Sequence, residues 1–176
     1  MRLLGAVLAG GQSRRFGSDK ALALLDGRPL IEHAIAALAA QTDAVIVCGR
    51  EWGDWVADRP EPGLGPLGGI NAALHCAAGR GFDAVLTMPC DAPFLPEDLA
   101  ERLTRRGGAA FVAGMPVIGL WPVTLAASLD AHLAGASDRS VRGWAQVAGG
   151  LPYVMDISIP NVNSPVDLIR LSGHFP

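Results

Sequence analysis

The chain has 176 residues, with 14 Lys+Arg against 17 Asp+Glu and a formal net charge of −3, so it lacks the basic excess that drives broad binding to nucleic acid or an acidic membrane surface. Hydrophobic residues make up 50% and charged residues 18%, with a mean hydropathy of +0.31. That balance excludes a disordered chain and is expected to bury one core across residues 1–176, a single domain.

Residues 3–8 (LLGAVL) are continuously apolar and end at Gly10 and Gly11, the pattern of a strand buried on both faces. No cleavage region follows that run, and no apolar stretch nears the roughly 18 residues of a membrane span. A cytoplasmic setting is expected. Cys48, Cys76 and Cys90 are too few and too scattered for a disulfide framework or a paired-cysteine zinc site, so reduced, mostly buried thiols are expected. Residues 29–41 carry an apolar stripe at helical spacing with Pro29 in the first turn. Residues 44–48 predict a strand, 69–78 a helix and 83–88 a strand. Residues 97–105 predict a helix, 109–113 and 117–121 strands, and 123–133 and 139–148 helices. Residues 153–157 read as extended, and Ser164 caps a last helix with Pro165 in its first turn and Asp167 in its third position. This alternation predicts an α/β fold: a doubly wound, mainly parallel sheet with helices on both faces. Its ligand crevice lies outside the carboxyl ends of the strands.

Four motifs fall at such ends. In residues 8–20 (LAGGQSRRFGSDK) a glycine bend can turn its amides towards an anion, while Arg14, Arg15 and Lys20 supply positive charge. The spacing fits neither G-x-G-x-x-G nor G-x-x-x-x-G-K-[ST], so the clamp is of a third kind; the alternative is a glycine-rich turn with solvated arginines. Asp19 is either a helix cap or the ion-pair partner of Lys20. After the strand at 83–88, Asp91 is either a magnesium ligand or a turn cap. Gly68 and Gly69 open a helix after residues 58–64 (DRPEPGL), offering a second anion or base contact; Asp58 in that stretch is also compatible with a solvated loop. Asn161 and Asn163 precede Pro165 and suit either a polar ligand or a turn and cap. Cys90 is read as a packing thiol, because no histidine lies near it in sequence. His33, His75, His132 and His174 form no metal-ligand spacing. Trp52, Trp55, Trp121 and Trp144 are read as packing residues, with stacking on a ring ligand as the alternative.

Taken in order, these strings resemble the motifs of the molybdenum cofactor guanylyltransferases: LAGG-x(2)-R-R-x-G-x(2)-K at 8–20, GPLAG at 65–69, PCD-x-P-x-x-P at 89–96 and NVNTP at 161–165. The resemblance implies a Rossmann-like nucleotidyltransferase fold. It further implies transfer of GMP from GTP to the terminal phosphate of molybdenum-bound molybdopterin, with Mg2+ as cofactor and pyrophosphate as co-product. Leu8, Ala9, Gly10, Gly11, Lys20, Asp58 and Asp91 would bind the nucleotide, with Asp91 on the metal. Arg15, Lys20 and Asp91 would be catalytic, and Asn161 and Asn163 would hold the acceptor. Molybdenum cofactor carrier or acceptor proteins are the implied partners. The chain departs from the family where Cys48 stands in place of an asparagine, where residues 106–116 are short, and where Met115 replaces a frequent histidine. Residues 137–144 (SDRSVRGW) match a GERRV-like stretch only loosely and carry no role. A CTP-dependent relative, one with another phosphate acceptor, and a silent nucleotide-binding relative are the alternatives.

Overall fold

In the first strand, β1 (Leu3–Leu8), alternate side chains must face opposite sides, and they do: Leu3 and Val7 join one apolar cluster, Leu4 and Ala6 another. The computed structural model describes residues 1–10, 19–135, 137–156 and 158–173. After a 3-10 turn at Lys20–Leu22 the chain forms β2 (Leu24–Leu25), β3 (Arg28–Pro29), α1 (Leu30–Ala39), β4 (Ala44–Cys48) and β5 (Trp55–Val56). It continues through α2 (Pro66–Gly79), β6 (Ala84–Pro89), α3 (Leu99–Thr104), β7 (Ala110–Val112) and β8 (Met115–Pro122). It closes with α4 (Ala126–Gly135), α5 (Val141–Val147), β9 (Leu151–Tyr153) and α6 (Pro165–Leu171).

The main sheet runs β5-β4-β1-β6-β8-β7-β9, with β1 central and parallel to both β4 and β6. Ile31 and Leu38 of α1 and Leu99 and Leu103 of α3 pack on one face. Leu67 and Ile70 of α2, Leu129 of α4 and Trp144 of α5 pack on the other. The doubly wound α/β architecture is therefore as expected. Parallel pairing fails at one strand: β8 is antiparallel to both β6 and β7. Crossover through α3 makes β7 run with β6, but the two-residue connection from Val112 to Met115 reverses the chain, and β8 returns between them. Such a hairpin reads as two ordinary strands in sequence. The last strand lies at Leu151–Tyr153 rather than 153–157, because Leu151 N–H pairs with Ala109 O at 2.9 Å as soon as the chain leaves α5; Ile157 lies outside the described residues.

The β2–β3 hairpin escaped the periodicity reading because each strand has two residues. Its signal is Asp26-Gly27, with φ of 49° and 79°, a pair suited to the tight turn that matches strand twist. His33 of α1, 5% exposed, donates Nε2–H to Leu25 O at 2.8 Å and ties the hairpin down. Trp121 and Trp144 are fully buried, as packing residues should be, and Trp121 donates Nε1–H to Thr87 Oγ1 at 3.0 Å. Among the described residues no helix is long and apolar enough to cross a membrane.

Helix α1 and the turn after it pack closely on β1 at Gly5. A methyl group there would come within 2.8 Å of Thr42 Oγ1 and 3.0 Å of Leu38 Cβ, closer than packed atoms tolerate. Gly5→Ala is expected to lower stability by about 1–3 kcal/mol through overpacking, read as a fall in the urea midpoint with an unchanged slope.

Candidate active site

The carboxyl ends of β4, β1 and β6 emerge at one level because the register pairs Leu8 with both Cys48 and Pro89. Two further bonds extend the match beyond the strands: Ala9 N–H donates to Cys48 O at 3.0 Å and Cys90 N–H to Leu8 O at 3.2 Å. Above these ends opens a cleft of about 260 Å³, lined by Leu8, Ala9, Gly10, Lys20, Asp58 and Asp91 among others. Six of the seven residues expected to bind nucleotide thus share one cavity. The seventh, Gly11, lies outside the described residues, as do Arg14 and Arg15.

At one end of the cleft Lys20 Nζ donates to Asp91 Oδ2 at 3.0 Å, with only 17% and 24% of the two side chains exposed. Lys20 is the only lysine in the chain, a signal available from composition that motif reading passed over. Asn163 Oδ1 lies 3.5 Å from the same ammonium. Asn163 is brought there by the expected cap of α6: the Asp167 carboxylate accepts from Asn163 N–H at 3.0 Å, Ser164 N–H at 2.8 Å and the Ser164 hydroxyl at 2.9 Å. Those bonds hold the Asp167 carboxyl below its ordinary range, the Asn163 amide contributing most. Val162 N–H, bonded to Asp91 O at 2.7 Å, fastens the whole segment to β6. Asn161, by contrast, is not in this cleft; it lines a neighbouring hollow of about 540 Å³ together with Gly114, Met115 and Asp156.

Among the described residues Asp19 has two partners, neither of them Lys20. Its Oδ1 accepts from Ala21 N–H at 3.2 Å, capping the short turn, and its Oδ2 pairs with Arg50 Nη2. The cap expectation holds; the ion pair is with an arginine that sequence reasoning left without a role.

At the other end of the cleft the Asp58 carboxylate is ringed by glycines. A methyl on Gly10 would lie 3.1 Å from Asp58 Oδ2; one on Gly49, where φ is +77°, would lie 2.9 Å from Asp58 Oδ1 and 2.7 Å from Gly10 Cα. A methyl on Gly69 would reach 2.9 Å from Leu8 Cδ2. Glycine at these points lets the backbones of β1, β4 and α2 close on one another, as a site admitting a ligand near main chain requires. Helix α2 starts at Pro66 with no side chain capping it; Gly68 N–H donates to Gly65 O at 3.2 Å, and Gly65, Pro66 and Gly69 of this first turn line the cleft. Burial raises the Asp58 carboxyl above its ordinary range.

The cysteines are packing thiols. Burial, reinforced by the adjacent Asp91 carboxylate, pushes Cys90 up to about 12. Cys48, 1% exposed, is raised further by burial and by Asp58. Neither offers a thiolate near neutral pH, so neither is equipped as a nucleophile.

Residues 5–149 match the family model of the MobA-like NTP transferase domain. The molybdenum cofactor guanylyltransferase of Rhodobacter capsulatus is 41% identical over 187 aligned residues, which cover 97% of this chain and 95% of that protein. Among solved structures, molybdopterin-guanine dinucleotide biosynthesis protein A from Archaeoglobus fulgidus superposes with a TM-score of 0.75 at 22% identity, covering 95% of each chain. The 2-C-methyl-D-erythritol 4-phosphate cytidylyltransferase of Thermus thermophilus does so at 0.66 and 18%, covering 97% of this chain and 96% of its own. At such identities the two structures speak for the fold alone. The extent of the family match, together with a relative this similar along nearly its whole length, makes the chain a member of the MobA-like NTP transferase family.

Proposed function

We propose that the protein is a molybdenum cofactor guanylyltransferase, transferring GMP from GTP to the terminal phosphate of molybdenum-bound molybdopterin. The observation that carries this reading is the Lys20–Asp91 pair at 3.0 Å in a cleft whose far end holds Asp58 against Gly10 and Gly49. One end suits a triphosphate and the other a base. Support for the choice of base and acceptor comes from the guanylyltransferase of Rhodobacter capsulatus.

In the proposed step an acceptor phosphate oxygen attacks the α-phosphorus in line. A new P–O bond forms, the bond to the β-phosphate oxygen breaks, and pyrophosphate leaves with the bonding electrons. The acceptor oxygen is already ionised near neutral pH, so positioning and charge neutralisation matter more than a general base. Lys20 lies where its ammonium can exchange Asp91 for phosphate oxygens, and Arg15 is its proposed companion. The backbone of Gly10 lines the same cavity and offers its amide to an anion, whereas the Ala9 amide is spent on Cys48 O. Asp58 accepts from the guanine ring N–H and exocyclic amine, a pairing that adenine cannot reproduce. Asn163 orients the acceptor beside Lys20, and Asn161 holds it from the adjoining hollow.

Magnesium fits Asp91. Among the described residues no group of three or more His, Cys, Asp and Glu forms a cage, and magnesium characteristically takes one or two carboxylates, completing its octahedron with waters and substrate phosphates. Held by Asp91, the ion would supply charge neutralisation at the phosphate oxygens. Cytoplasmic location, and delivery of product to molybdenum cofactor carrier or acceptor proteins, belong to the same proposal.

Three outcomes test it. GTP with magnesium, at about 100 times its dissociation constant, is expected to stabilise the fold by about 2.7 kcal/mol in a thermal shift backed by calorimetry, with CTP well below; protection by CTP alone would move the chain to a cytidylyl branch. Lys20→Ala and Asp91→Asn are each expected to lower turnover by about 10²–10³-fold with unfolding unchanged, and wild-type turnover in either removes that residue from the step. Asp58→Asn is expected to reduce the preference for GTP over ATP by about 1–3 kcal/mol. Because burial raises the Asp58 pKa, its protonated form persists to higher pH than for an ordinary aspartate. The wild-type preference should therefore weaken as pH falls, beginning above the usual carboxylate range, and that dependence should vanish in the variant; calorimetric titrations across pH check both.

A further inference from the structure

Four charges of alternating sign run across the end of β1. Arg50 follows β4 and pairs with Asp19; the backbone links Asp19 to Lys20; Lys20 pairs with Asp91 after β6 at 3.0 Å. The row bridges the two strands that flank β1. Arg50 is well placed for such a task. It comes directly after Gly49, whose Cα is packed against Gly10 and Asp58, so its backbone is anchored in the glycine contact. Its side chain is 25% exposed, and its Nε is buried with no hydrogen-bond acceptor among the described residues. Among the described residues the guanidinium is held by one partner, Asp19. Asp19 in turn uses its second oxygen to cap Ala21 N–H at 3.2 Å, while Ala21 is 3% exposed and sits in the core cluster that includes Val7 and Ile31. The turn that starts with Lys20 is therefore held by a cap, a buried alanine and the Arg50 pair.

We propose that Arg50 and Asp19 are positioning residues, a strut that fixes the turn carrying Lys20 so that its ammonium stands over Asp91. A lysine on a four-carbon stem has much rotamer freedom to lose, and restraint applied at its backbone lowers the ordering still required as the bound triphosphate reaches the transition state. Neither residue need touch the substrate. The strut rests on the proposed guanylyl transfer only for its effect on turnover.

The uniqueness of Lys20 makes the test direct. Asp19→Asn keeps an Oδ1 acceptor for Ala21 N–H but loses the charge pair; Arg50→Ala removes the other side; Arg50→Lys restores a cation. Acylation of Lys20 by an amine-directed reagent, read on its peptide by mass spectrometry in the protein without nucleotide, is expected to quicken roughly threefold in Asp19→Asn and in Arg50→Ala, the scale of a half-exposed ion pair. The double variant should be no faster than either single, and Arg50→Lys should recover part of the protection, all with unchanged thermal unfolding. Under the proposed chemistry kcat should fall in the same ratio in both variants while KM for GTP holds. Wild-type labelling in either variant, or effects that multiply in the double variant, overturns the strut. A rise in KM alone for Arg50→Ala would overturn it in favour of direct nucleotide contact. Failure of the wild type to bind magnesium and GTP would instead sink the guanylyl reading and leave the labelling result standing.

Discussion

Everything at the cleft depends on the parallel register of β1 with its two neighbours. Pairing Leu8 with Cys48 on one side and Pro89 on the other brings Gly10, Gly49 and Asp91 out of the sheet at one height. A slip of one residue in either pair would turn a whole strand over, moving its side chains to the opposite core. That penalty is large here because both faces are buried: Leu3 and Val7 serve one cluster, Leu4 and Ala6 the other. The two apolar cores thus set the placement of polar groups that they do not themselves contain.

Electrostatics above the strand ends works within a sparsely charged chain, 18% Asp, Glu, Lys and Arg overall. Lys20 and Arg50 are each held by a carboxylate, and Asp58 at the far end packs against the glycine backbone of Gly10 and Gly49. An anion entering the cleft therefore meets paired cations at one end, while the other end presents an acceptor that burial makes reluctant to ionise. These are the conditions in which a carboxylate gains most from donors on a ligand, since little solvent competes with them.

The antiparallel return of β8 shapes the proposed acceptor side. By inserting between β6 and β7, it carries Met115 and Gly114 to the hollow that Asn161 lines, while Val117 further along the same strand reaches the cleft of Lys20 and Asp91. One strand therefore borders both cavities. The segment bearing Asn161 and Asn163 is fastened between them at both ends, by Val162 N–H on Asp91 O and by Asp167 on Asn163 N–H, so the two asparagines face different spaces although they are two residues apart.

Local pattern sufficed for much of this. Apolar runs marked β1, β4 and β6, helical stripes marked α1, the Ser164–Asp167 cap marked α6, and four short strings in order carried the family; each is a property of neighbouring residues, which a linear chain displays. What stayed hidden depends on groups far apart in sequence. The reversal of β8 was invisible because strand direction is chosen by pairing, not by composition, and the β2–β3 hairpin because two-residue strands leave no period. Residues 8–20 identified Lys20 without its partner, and nothing near Arg50 pointed to Asp19. The sequence by itself determined the α/β class, the strand-end location of the chemistry and the residue types available for it, since these follow from periodicity and turn chemistry. Only the tertiary structure decided that Asp58 would sit among glycines from three elements, that Asn161 and Asn163 would part company, and that Arg50 would brace Lys20, because contact between distant side chains is set by sheet order and register.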